Sequence, residues 1–213
     1  KTAAALIVLF FSAYCFSAEN SGNEMEKNRL TVSLSEEIPM LHPHISFNAD
    51  EAQILTALYE GLTVYDPYTL QPVPALAEKW TVTGGRTWRF NVRKNAKFEN
   101  GEPITAQTFV DAWFNLLTPG ADYQYASLLD CIDGAADYRT GKLKNKEQVG
   151  IKAESEYVLL VYTNTPAEHL PNILCPHAFS AVYGGQLKDS SRLLKKSGIG
   201  SAKEAFKPVS SGA

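Results

Sequence analysis

The stretch Thr87 to Gly120, TWRFNVRKNAKFENGEPITAQTFVDAWFNLLTPG, limits the fold more than any other part of the chain. Trp88, Phe90 and Val92 recur at period two, which predicts a strand with one apolar face. Glu99 to Pro103 (ENGEP) reads as a turn. Thr105 is then placed to cap a helix in which Phe109, Val110, Trp113 and Leu117 form a core stripe, and Pro119-Gly120 ends it. An apolar strand face and an apolar helix stripe so close together exclude an all-α or an all-β reading.

The flanking segments extend this mixed pattern. Arg29 to Ser35 (RLTVSLS) alternates as a half-buried strand does. Asp50 is an N-cap candidate for EAQILTALYEGL, with Ile54, Leu55, Leu58 and Tyr59 on one face and Gly61 just past the end. From Leu62 to Phe98 the chain reads as successive strands punctuated by DPYT and TGGR. A second helical stretch is expected through YASLLDCIDGAADYRTG. GIKAESEYVLLVYTNTP offers two strands around an ESE turn, with Val158, Leu160 and Tyr162 alternating with Leu159 and Val161. HLPNILCPHAFSAVYG is short and proline-broken, and DSSRLLKKSGIGSAKEAF is polar and loop-like. The order of elements lacks strict βαβ alternation, so the class is α+β or a two-lobe α/β protein.

Composition narrows the function. Apolar residues make up 45% and charged residues 20% of the 213, as in an ordinary globular protein. A net charge of −3 with 4 His gives no basic footprint for nucleic acid. The first residues, KTAAALIVLFFSAYCFSAEN, have one Lys, an apolar run to about Ala13 and then small residues. This run is shorter than the roughly 20 residues of a membrane span and has the organisation of a secretory signal peptide over residues 1–18. Cleavage after Ser17 is one reading, and lipid anchoring at Cys15 is the other, although the bulky Tyr14 precedes it. Residues 19–28 form a polar linker. In an exported chain Cys131 and Cys175 either pair or remain as buried thiols. The chain starts with Lys and stops at KPVSSGA, which suggests part of a longer protein.

Catalytic patterns are missing from the sequence. It contains no G-x-S-x-G elbow, and SGIGSAKEAF lacks the spacing of a phosphate loop. Paired acids such as Glu36/Glu37 and Asp130/Asp133 read as solvent-face charges. His42 and His44 in LHPHISFN are separated by a proline and lack a nearby Cys, Asp or third His, while His169 and His177 lie far along the chain. No metal site is expected. Trp80, Trp88 and Trp113 each sit on an apolar face and read as core.

Four stretches together resemble the extracytoplasmic solute-binding proteins of the oligopeptide/dipeptide ABC-transporter family. LHPH followed by ALYEGLTVYD is similar to that family's LDPH…LFEGL, and PVPALAEKWTVT to its PxLAExW. TWRFNVRKNAKFENGEPITAQTFVDAW matches its signature of aromatic strand, Asn/Asp-Gly turn and P-[VIF]-T-A-x-D-[FV] helix. The terminal PVSSGA is similar to PVGTGPY. This chain departs from the pattern at Thr108, where the signature has Asp, and at His42, where many members have Asp. A long polar stretch between Tyr183 and Phe206 is a third departure.

The resemblance implies a periplasmic-binding-protein-like two-lobe fold, of which the chain holds only part. Residues 29–59 would begin the first lobe, 60–182 would form a β-rich subdomain, and 183–213 would return toward the first lobe, where the chain stops. It also implies an oligopeptide ligand held in a cleft, ABC permease subunits in the inner membrane as partners, a monomeric receptor, and no cofactor or catalysis. The protein would then work in the periplasm or on the outer face of the cytoplasmic membrane. Phe47, Asn48 and Ala49 fall where the family contacts peptide backbone, with Phe47 replacing an acidic residue of a close member. Tyr125 in YQYASLL matches a ligand-contacting tyrosine, with a core or capping role as the alternative. Binders of a nickel complex, haem or an oligosaccharide within the same family, and an exported enzyme, are the competing functions.

Overall fold

The computed structural model describes residues 41–184, all within the compact unit Glu36–Ala213. The signal segment, the linker, the expected strand at 29–35 and the polar stretch beyond Gly184 lie outside the described residues. The element order is α1 (Ala49–Leu58), β1 (Thr63–Tyr65), β2 (Pro72–Pro74), β3 (Ala77–Thr83), β4 (Thr87–Val92), α2 (Ala106–Leu116), α3 (Ala135–Arg139), β5 (Ile151–Ser155), β6 (Val158–Tyr162) and α4 (Leu170–Ile173). Short 3₁₀ turns at Ala126–Cys131, Lys146–Gln148 and His177–Phe179 complete it.

β3 to β6 form one antiparallel sheet in the order β3-β4-β6-β5. Its inner face is the period-two pattern of the sequence made physical. Trp88 lies opposite Val161 and Phe90 opposite Leu159, and all of these are buried. The alternate residues Arg89 and Leu160 face outward, and Arg89 pairs there with Glu154. Trp80 remains half-exposed and packs beside Phe90, with ring centroids 6.3 Å apart.

Helix α2 lays Phe109, Trp113, Leu116 and Leu117 into the same core, each fully buried. Its first turn explains Thr108. The Thr105 N–H donates to Thr108 Oγ1 at 3.1 Å, so a hydroxyl supplies the acceptor that the resemblance assigns to Asp. The Ala106 N–H donates to the Glu156 carbonyl at 2.8 Å, which ties the helix start to the β5–β6 turn.

The expected turns at DPYT and TGGR are present, and that between β5 and β6 sits at Glu156–Tyr157. In the first, Asp66 Oδ1 accepts from the backbone N–H groups of Tyr68 and Thr69. The helix expected through YASLLDCIDGAADYRTG is replaced by a 3₁₀ turn and the five-residue α3. Its middle is used for long-range pairing. The Asp133 N–H donates to the Tyr162 carbonyl, the Gly150 N–H donates to the Asp133 carbonyl, and Gly134 takes φ 70°. At Gly150 a Cβ would come within 2.6 Å of the Tyr162 carbonyl oxygen, so the pairing requires glycine there.

Both described cysteines are free thiols. Cys175 is buried against Thr63 Oγ1 and the Pro171 carbonyl, while Cys131 is half-exposed. Burial raises the pKa of each, so neither is an activated nucleophile.

Candidate functional site

LHPHISFN folds into a tight turn. The His42 carbonyl accepts from the N–H groups of Ile45 (3.1 Å) and Ser46 (2.9 Å). His42 N–H donates to Ser46 Oγ at 3.1 Å. His42 Nδ1 accepts from the N–H groups of His44 and Ile45, both at 3.2 Å. Two donors on Nδ1 require that nitrogen to be bare, so the neutral ring carries its proton on Nε2. The turn buries Leu41, His42, His44 and Ser46 and leaves Ile45, Phe47, Asn48 and Ala49 exposed. Phe47 is 57% exposed, unusual for a phenylalanine.

Helix α1 starts here, capped by Asn48 rather than the expected Asp50. Glu51 decides between them: its buried carboxylate accepts from the N–H groups of Phe47 (3.2 Å) and Asn48 (3.3 Å). Of the apolar face expected on α1, Leu55 is fully buried, Ile54 and Tyr59 are half-buried, and Leu58 is exposed. Glu51→Ala should cost about 1 kcal/mol of stability by removing this cap. Urea unfolding would measure it, and a change below roughly 0.3 kcal/mol would show the cap to be idle.

His44 is fully buried, and neither ring nitrogen has a hydrogen-bond partner among the described residues. Burial, then repulsion from His42 and His177, pushes its pKa down to about 3. Burial also lowers the pKa of His42 and His177. No group of three or more His, Cys, Asp or Glu side chains is placed to hold a metal ion among the described residues.

His177 is the residue that sequence reasoning missed. Its Nε2 lies 3.0 Å from the Ser46 carbonyl, and a carbonyl only accepts, so Nε2–H is the donor. Its ring meets Tyr125 edge-on, with centroids 5.4 Å apart. Tyr125, half-buried, also meets Phe179 at 6.3 Å. Tyr125 and the Ser46 carbonyl, which directly precedes Phe47–Ala49, are therefore linked through one imidazole. Only the three-dimensional fold joins them, since Ser46 and His177 are 131 residues apart. An open depression of about 320 Å³ lies beside His177, bordered by Leu58, Tyr59, Val64 and Ser180.

Comparison with known proteins agrees with the resemblance. The family described as bacterial extracellular solute-binding proteins, family 5 Middle, matches residues 71–213. The periplasmic oligopeptide-binding protein OppA of Haemophilus influenzae is 32% identical over 167 residues, covering 76% of this chain and 30% of that protein. The dipeptide-binding protein DppE of Bacillus subtilis is 31% identical, covering 86% of this chain and 35% of its own length. Among solved structures, the Escherichia coli murein tripeptide binding protein MppA superposes with a TM-score of 0.67 at 29% identity, over 73% of this chain and 30% of that one. Haemophilus influenzae OppA, solved as a complex with RPPGFSPFR, superposes with a TM-score of 0.63 at 29% identity, over 73% and 29%. The chain thus spans about a third of the length of the proteins it matches. Its mixed α/β architecture is that of the periplasmic binding proteins, and the chain belongs to the family 5 bacterial extracellular solute-binding proteins.

Proposed function

We propose that this chain forms one wall of a two-lobed receptor that binds oligopeptides and delivers them to an ABC permease. Membership of family 5, with relatives named as oligopeptide- and dipeptide-binding proteins, carries the reading. Residues 29–59 open the first lobe, 60–182 make the β-rich subdomain, and 183–213 lead back to the first lobe. The receptor acts as a monomer in the periplasm or on the outer face of the cytoplasmic membrane, reached by the signal segment or held by a lipid on Cys15.

The ligand lies extended against Phe47–Ala49 and Tyr125, and a second lobe closes over it by hinge motion. Backbone hydrogen bonds give affinity without strong sequence preference, and hydrated pockets accommodate varied side chains. At Phe47 the exposed ring offers an apolar contact in place of a carboxylate, so a basic peptide side chain gains no ion pair there. No bond is broken, and no nucleophile is needed.

Isothermal titration of the full-length protein with mixed tri- to pentapeptides tests this. The expected result is saturable heat, with peptides recovered intact by mass spectrometry. No heat with any peptide would sink the proposal. Heat only with a nickel complex, haem or an oligosaccharide would reassign the solute, and cleaved peptide would point to an exported enzyme.

A further inference from the structure

We infer that His177 is a positioning residue, whose Nε2–H sets the Phe47–Ala49 segment at a fixed place relative to Tyr125. The inference rests on the peptide-binding reading above. Trp113, fully buried in α2, donates its indole N–H to the Phe179 carbonyl at 3.0 Å. The Ala181 N–H donates to the Glu60 carbonyl at 3.1 Å, holding the exit of the same 3₁₀ turn. Ala178 and Phe179 are themselves buried. The turn that carries His177 is therefore anchored just after the histidine, at Phe179 and Ala181, and its imidazole projects from that held base.

From that base the imidazole makes two contacts of different kinds. Its Nε2–H donates to the Ser46 carbonyl, the last backbone acceptor before the exposed Phe47. Its ring meets that of Tyr125 edge-on. The segment 46–48 has local bonds of its own, from the His42 turn and from Glu51. Those bonds fix its shape. The His177 bond ties its location to the subdomain, across 131 residues of sequence. A groove that grips peptide backbone needs this kind of fixing, since a misplaced rim loses affinity without losing its fold.

Two variants of the full-length protein separate donor from ring. His177→Phe keeps an aromatic edge against Tyr125 and removes the donor. His177→Gln keeps an N–H of similar reach and removes the ring. His177→Phe should weaken binding of a mixed tripeptide pool about tenfold, the loss expected from one net hydrogen bond. His177→Gln should remain within roughly threefold of wild type. Backbone amide exchange at Ile45–Asn48 should speed up in the Phe variant and not in the Gln variant, with or without peptide. Wild-type affinity in His177→Phe, or equal losses in both variants, would overturn the inference. If the wild type itself binds no peptide, the function has failed, and unchanged amide exchange in His177→Phe then separately overturns the positioning role.

Discussion

Replacing Trp113 by alanine should lower the unfolding free energy by about 3–5 kcal/mol, the range for deleting a large aromatic side chain from a packed core. Trp113 is fully buried and meets Phe109 edge-on at 6.4 Å. Two losses combine in the substitution. One is the cavity left between α2 and the sheet. The other is the Phe179 carbonyl, which loses the indole N–H at 3.0 Å and stays buried. Trp113→Phe separates them, because it keeps most of the apolar volume and removes only the donor; about 1–2 kcal/mol is expected from it. Urea unfolding followed by near-ultraviolet circular dichroism would measure both. A loss below about 1 kcal/mol in Trp113→Ala would mean that α2 is not the central packing element. Because the Phe179 carbonyl lies in the turn that carries His177, both variants should also loosen the Ser46–Asn48 segment. The polar bond makes that effect nearly as large in Trp113→Phe as in Trp113→Ala.

Trp113 also shows which part of the fold the sequence could convey. The faces of β4 and α2 were legible because each is set by a local period, two for Trp88, Phe90 and Val92 and 3.6 for Phe109, Trp113 and Leu117. The start of α1 was only half legible. Asn48 with Glu51 and Asp50 with Gln53 both have capping-box spacing, and the choice fell to the pair whose carboxylate becomes buried against the His42 turn. The broken helix after Tyr125 was not legible, because its interruption comes from Tyr162 and Gly150, more than a dozen residues away. The candidate site divides the same way. Phe47, Asn48, Ala49 and Tyr125 came from resemblance of local motifs, and His177, which meets Tyr125 and the Ser46 carbonyl, did not. His177 carries no local signal, since a buried histidine after a proline looks the same whether it supports a rim or fills a core.

Acid should destabilise the chain well above the carboxylate range, and His44 should dominate the effect. Its ring is neutral in the folded protein, with a pKa of about 3 against an ordinary 6.5. The unfolded chain therefore binds a proton that the folded chain refuses between these two values. Stability from this group is complete above about pH 6.5 and is lost as pH falls toward 3. At pH 5 the loss from His44 alone is about 2 kcal/mol. The groups facing it push the same way: His42 and His177 are likewise held below their ordinary value by burial. Protonation of His42 Nδ1 would also cancel the two bonds it accepts from His44 and Ile45. The ring of Tyr123 lies 6.0 Å from that of His44. Glu51 opposes the trend, but only at His177, where its charge favours the protonated ring. His44→Leu removes the group while keeping most of its volume. The variant should be about 1–3 kcal/mol more stable than wild type at pH 7.5, because two unpaired ring nitrogens leave the core. Its advantage should widen by about 2 kcal/mol at pH 5. Urea unfolding of both proteins at the two pH values decides the matter. Parallel stability curves would show that His44 is protonated or solvated in the fold, and that acid sensitivity at this turn originates in His42 and His177 instead.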